Sequence, residues 1–132
     1  MRESLRLFDR FLATTRHGPH RFFRWLKVPT LPDSALIVFA DQSLDFFGVL
    51  ESRIHEVWTR AQGSQVRDRA SGFRYTPTSC FETFAFPKPT EEQKEEIANA
   101  TRSLNELRER WLNPPEWTQE EVLEIPESIG DP

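Results

Sequence analysis

Cysteine is almost missing from this chain. Cys80 is the single one in 132 residues, so no internal disulfide can staple the fold, and a reduced, cytoplasmic setting is the simplest expectation. Long apolar runs are missing too. No stretch approaches the roughly 18 residues of a membrane span, so no membrane partner is expected. Met1-Arg2-Glu3-Ser4-Leu5-Arg6 lacks the apolar centre of a signal peptide. Glycine is scarce: the five present form neither a GxGxxG turn nor a Walker loop, so no nucleotide- or cofactor-binding fold is visible and no cofactor is expected. The three histidines show no ligand spacing. His17 and His20 are close but lack partners, so no metal site is expected.

Aromatics are plentiful, with eleven Phe and four Trp. In a domain of this length a few large rings must supply much of the burial. Charge is unevenly spread. Residues 1–88 hold thirteen Lys/Arg against nine Asp/Glu, and residues 89–132 hold four against twelve. The first 27 residues alone hold seven basic side chains and two acidic ones. A net charge of −4 therefore hides a basic front and an acidic tail. Such a split suits a surface that meets phosphate with its front half. An ordinary solvated surface has the same look.

The pattern implies an α/β (α+β) domain: a small mixed sheet packed by helices, with a long C-terminal helix. Residues 4–15 read as a helix, because Leu5, Phe8, Phe11 and Leu12 recur at helical spacing. His20–Lys27 suits a strand. Ala35-Leu36-Ile37-Val38-Phe39-Ala40, an unbroken apolar run, reads as a buried central strand. A helix follows from an N-cap at Ser43 to a stop at Gly63, its apolar stripe running from Phe47 through Ile54 to Ala61. Gly48 within it implies close packing, against a strand. His55 flanks the stripe and reads as a packed or surface residue rather than a catalyst. Residues 62–72 read as an exposed loop. Phe81–Pro87 reads as a strand covered on both faces, with Cys80 a buried, inert thiol at its edge. Thr90-Glu91-Glu92-Gln93 is a capping box that opens a helix. Ile97, Ala100, Leu104, Leu107 and Trp111 then make a stripe, and Asn113-Pro114-Pro115 stops it. The division expected is 1–88 as a recognition-like α/β domain, 89–115 as a docking or dimerising helix, and 116–132 as an acidic, mostly flexible tail with a short helix at 118–124.

Contact with nucleic acid is the chemistry these residues suit best. Arg67, Arg69 and Arg74 lie in or beside the Gly/Ser-rich loop, with Thr76 and Thr78 close by. Arginine reads guanine through two hydrogen bonds, and threonine meets bases or phosphates. Arg16, His20, Arg21, Arg24 and Lys27 are candidates for phosphate contact. A small hydrolase using His55 or Cys80 would need a pocket lined by both.

Several words of the chain then carry a resemblance. They are His20-Arg21-Phe22-Phe23, Leu36–Ala40, Phe46-Phe47-Gly48-Val49-Leu50 running into Ser52-Arg53-Ile54-His55-Glu56-Val57-Trp58, Arg74-Tyr75-Thr76-Pro77-Thr78, and Phe81-Glu82-Thr83-Phe84-Ala85-Phe86-Pro87. Asn105-Glu106-Leu107-Arg108 and Trp111-Leu112-Asn113-Pro114-Pro115 follow in the same order. From about residue 15 to 115 the chain resembles the target-recognition, C-terminal region of MmeI-like (type IIL) restriction–modification DNA methyltransferases. Ala85 stands where that family has proline, and Pro19 where it has lysine. A looser likeness is to half of a type I restriction specificity subunit. Asn113-Pro114-Pro115 resembles the catalytic motif of amino-methylating DNA methyltransferases, but Glu116 holds the aromatic position and the word reads as a helix stop.

The resemblance implies a part that binds double-stranded DNA and sets the specificity of a SAM-dependent adenine-N6 methyltransferase, without catalysis of its own. Its implied partners are duplex DNA and a methyltransferase catalytic subunit or domain, with self-association through helix 90–112 as a further expectation. The chain would be a stand-alone fragment, a truncated gene product or one subunit of a split system. The alternative is a remnant that acts only as a structural or interaction module.

Overall fold

The computed structural model describes residues 8–65 and 72–117. The expected helix at 118–124, and most of the expected tail, lie outside them. By its contacts the chain divides into residues 1–102 and 103–132.

The first unit is built on two small antiparallel sheets. Strands β1 (Arg10–Thr15), β3 (Arg24–Lys27) and β4 (Leu36–Phe39) form one, in the order β3-β1-β4. The apolar run at 36–39 is therefore an edge strand, and β1 is the central one. β1 also replaces the helix expected over 4–15, of which residues 4–7 lie outside the described part. Phe11, Leu12, Ala13 and Thr14 are all buried. A strand covered on both faces shows a continuous apolar run, and here two residues of that run, Phe11 and Leu12, also fell on the helical spacing of Leu5 and Phe8. Pairing with two neighbours decided between the readings.

The register explains the core. Leu12 stands opposite Trp25 and Phe39, so these three share one face. Phe23, Ile37, Phe47, Leu50, Tyr75 and Cys80 complete the buried cluster on that side. Phe11 and Ala13, with Leu26, Val28 and Val38, form a smaller cluster of their own.

Two helices follow, α1 (Leu44–Glu51) and α2 (Arg53–Gln62), where one was expected. The break is at Ser52, which is extended at φ −67°, ψ 150°. Its hydroxyl donates to the Val49 carbonyl at 2.7 Å and accepts from the His55 N–H at 3.2 Å, closing one helix and capping the next. Ser43 stands at the expected N-cap position, but its hydroxyl donates to Asp41 Oδ1 rather than capping. Gly63 ends α2 as expected. Gly48 does pack closely, against a helix rather than a strand. A Cβ there would meet Thr101 Oγ1 and Ile97 Cγ2, both on the long helix α3 (Glu91–Leu112).

The strand expected over Phe81–Pro87 is absent. A single π-helical turn, Pro77–Phe81, takes its place, closed by Glu82 N–H donating to the Pro77 carbonyl at 2.9 Å. Pro77 begins the turn, and Thr76 before it is extended at φ −108°, ψ 119°, as a residue preceding proline prefers. The turns that follow aim Phe81, Phe84 and Phe86 at one another and at Phe46 and His55, with ring centroids 4.8–6.4 Å apart. The alternation of aromatics was a sign of burial, not of a strand.

The capping box is formed. Thr90 N–H donates to Gln93 Oε1 at 3.0 Å, and Gln93 N–H donates to Thr90 Oγ1 at 3.3 Å. Leu112 is the last residue of α3. In the second unit its stripe is bare: Leu104, Leu107 and Trp111 are exposed.

Candidate nucleic-acid interface

The second sheet carries the candidate site. It has three two-residue strands, β2 (His17–Gly18), β5 (Ser64–Gln65) and β6 (Phe73–Arg74), with β6 in the middle. The expected loop at 62–72 thus begins with a strand. Its residues 66–71 lie outside the described part, and Arg67 and Arg69 with them.

Strands this short need anchoring from outside, and Arg21 supplies it. Its Nη2 donates to the Phe73 carbonyl at 3.2 Å, and its Nη1 to the Thr15 carbonyl and to Thr14 Oγ1. The guanidinium also lies over the rings of Phe73 and Tyr75, 5.3 and 5.0 Å from their centroids. Burial pulls its pKa below the ordinary arginine value. The cation is thus engaged in holding β1 and β6 together.

Two further ties act on β6. Tyr75 N–H donates to the Arg16 carbonyl at 2.9 Å. Gly72, at φ +72°, brings its backbone so close to Gly18 and Pro19 that a Cβ would strike them. Beneath the sheet, the Phe73 ring occupies the space that a side chain at position 63 would need. Phe73 therefore points inward, and Arg74, the next residue along the strand, points out and is exposed.

The other expected site residues are spread more widely. Arg16 is half-buried, its Nε donating to the Ser34 carbonyl at 3.1 Å. His20 is exposed, 6.4 Å from the Phe22 ring. Arg24 and Lys27 lie on β3 of the first sheet, the former half-buried and the latter exposed. The Thr76 carbonyl accepts from the N–H groups of Ser79 and Cys80. Thr78 is exposed in the π turn. Arg16, Arg21 and Arg74 are thus gathered at β6; Arg24 and Lys27 are not.

His55, read from the sequence as packed or at the surface, is packed. It is 1 % exposed. Its Nδ1 lies 2.9 Å from the Leu50 carbonyl, which can only accept, so the proton sits on Nδ1 and Nε2 faces the Tyr75 hydroxyl at 3.4 Å. Burial lowers its pKa and raises that of Tyr75. A cavity beside His55 is lined by Arg21, Glu51, Glu56 and Arg60 among others, and Cys80 is not one of them. The Cys80 thiol is buried and points at the Thr59 carbonyl, 3.9 Å away. The pair that a hydrolase would need is not convergent. Among the described residues no group of His, Cys, Asp or Glu is placed to hold a metal, and no helix is long and apolar enough to cross a membrane.

A model of one known family, "MmeI, target recognition domain", matches residues 19–88, just over half of the chain. The chain belongs to this family. The matched MmeI-type region runs from Pro19 through β3, β4, both short helices, β5, β6 and the π turn to Lys88; β1 and β2 precede it and α3 follows it. Among curated proteins, the DNA methyltransferase A of Bacillus subtilis (strain 168) is 29 % identical over 80 residues. That alignment takes in 61 % of this chain and 9 % of the relative. No solved structure matches.

Sequence reasoning did not single out His17 and Ser64, which the second sheet sets on either side of Arg74. Two-residue strands carry no periodicity, and their pairing joins segments up to 57 positions apart.

Proposed function

We propose that this chain reads duplex DNA and sets the target of a SAM-dependent adenine-N6 methyltransferase, without transferring methyl groups itself. The observation that carries the reading is the MmeI target-recognition match over residues 19–88. An exposed arginine on a three-sided anchorage adds to it. Arg74 is suited to pair with guanine through two hydrogen bonds. Exposed His20, Lys27 and Thr78 would meet phosphates. Arg67 and Arg69 belong to the same proposal. The tethered side chains of Arg16 and Arg21 would support the surface more than touch DNA.

The proposed division of labour is recognition by residues 1–88 and docking by 89–115, followed by an acidic segment at 116–132. The docking role rests on Leu107 and Trp111, 61 % and 79 % exposed on one stripe of α3. That stripe would meet the methyltransferase subunit or a second copy of the chain, in the cytoplasm. The same bare stripe favours the second reading, a pure interaction module.

Fluorescence anisotropy of labelled duplex DNA against the purified chain, over a range of salt concentrations, decides between the two. DNA reading predicts affinity that falls linearly in log–log form as salt rises. It also predicts that Arg74→Ala weakens binding to the selected site by about 1–3 kcal/mol. Absence of binding at low salt, with a dimer by light scattering, would leave only the interaction module.

A further inference from the structure

The register of the second sheet puts three side chains in one row. Arg74 stands opposite His17 on one side and opposite Ser64 on the other. Residues directly opposite in antiparallel strands project from the same face. All three are exposed, and the opposite face of the central strand is closed by Phe73 lying on Gly63. The row is therefore one-sided, short and firmly based.

Its dimensions match one kind of partner. Strands lie about 4.8 Å apart, so the outer two side chains are on the order of 10 Å from each other. The major groove of B-DNA is about 12 Å wide and admits a β-ribbon. Laid along the groove, the row covers roughly three base pairs at about 3.4 Å each. Its chemistry suits base edges: Arg74 donates twice in a fixed fork, His17 donates or accepts through a ring nitrogen, and Ser64 does either through its hydroxyl. The central charge is positive, as a groove flanked by phosphates requires.

We infer that His17 and Ser64 are specificity-determining residues that read the base pairs on either side of the one read by Arg74. The inference rests on the DNA-reading function proposed above and deepens it. It also assigns a reading role to His17, which precedes the region matched by the family model.

The test is site selection from a duplex pool with a randomised centre, using the full 132-residue chain. Wild type is compared with Arg74→Ala, His17→Ala, His17→Gln and Ser64→Ala, each checked for folding by circular dichroism. The expected result is a contiguous three-position pattern. Arg74→Ala relaxes the middle position, and His17→Ala and Ser64→Ala each relax one neighbour, by about 5-fold or more. Affinity for random duplex changes less than about 2-fold in the two flanking variants. His17→Gln, which keeps a hydrogen-bonding group, changes the preferred base rather than losing preference. If wild type selects a site and both flanking variants select the same site unchanged, the row is not the reader and the DNA-reading function survives without it. Relaxation at positions not adjacent to that of Arg74 overturns the row as well. If wild type shows no sequence preference, the parent function and this inference fall together.

Discussion

The two sheets have the same number of strands and opposite designs. The first has strands of four to six residues, a central strand buried on both faces, and an aromatic cluster against it. The second has strands of two residues each and an exposed polar row. Strands that short bury too little to hold themselves. They are held by Arg21, by the Gly72–Gly18 approach and by the Phe73 ring on Gly63. Stability resides in one sheet and display in the other. A surface so arranged can change its displayed side chains without disturbing the fold.

The largest expected effect breaks the first sheet's side of this contrast. Phe47 is 1 % exposed and meets Trp25 edge-on, with centroids 5.4 Å apart. Phe47→Ala should cost roughly 3–5 kcal/mol, because the surrounding rings cannot close the cavity fully. Urea unfolding followed by tryptophan fluorescence gives the number. A loss under about 1 kcal/mol would mean that the aromatic cluster is not the source of stability.

Arg21 sharpens the contrast from the other side. Arg21→Lys keeps the charge and loses the fork that reaches the carbonyls of Thr15 and Phe73. Exchange of the amide hydrogens of Gly18, Phe73 and Arg74 should quicken by about 10- to 100-fold, corresponding to roughly 1–3 kcal/mol of lost local protection. Amides of Leu12, Ala13 and Val38 should keep their protection. Uniform loosening of both sheets would show that the second sheet is not separately held. Unchanged exchange together with weaker DNA binding would make Arg21 a phosphate contact instead of a brace.

How much of this was readable in advance divides along the same line. The capping box at Thr90, the helix that follows and the stop at Gly63 all come from local signals, and all are present. Failures came where a local pattern had two physical readings. Phe8, Phe11 and Leu12 fit a helix face, Phe11-Leu12-Ala13 fits a doubly covered strand, and only pairing with β3 and β4 separates the two readings. Phe81, Phe84 and Phe86 fit a strand or a set of turns aimed at one cluster, and Pro77 tipped the balance. At the site, the sequence pointed to Arg74 as a base reader and to Arg21 as a phosphate contact, as if both were free. The burial of Arg21 depends on Phe73, 52 positions away. No local pattern contains that contact. His17 and Ser64 escaped for the same reason.

His55 gives the smallest effect and joins the two regions. Its ring touches Phe23 of the core cluster and faces the Tyr75 hydroxyl just beyond β6. Burial lowers its pKa in the folded protein, so the unfolded chain takes up a proton more readily. Stability from this group is complete above the unfolded value of about 6.5. It is lost as pH falls from there through the lower folded value, because protonation then favours the unfolded chain. Each unit between the two values is worth about 1.4 kcal/mol. Thermal melting between pH 7.5 and 5.5 should therefore show a falling Tm, and His55→Gln should flatten that fall while other titrating groups act alike in both proteins. Equal slopes would place the proton uptake elsewhere. A slope that appears in amide exchange at β6 but not in global melting would make the His55–Tyr75 contact a tie for the display sheet alone.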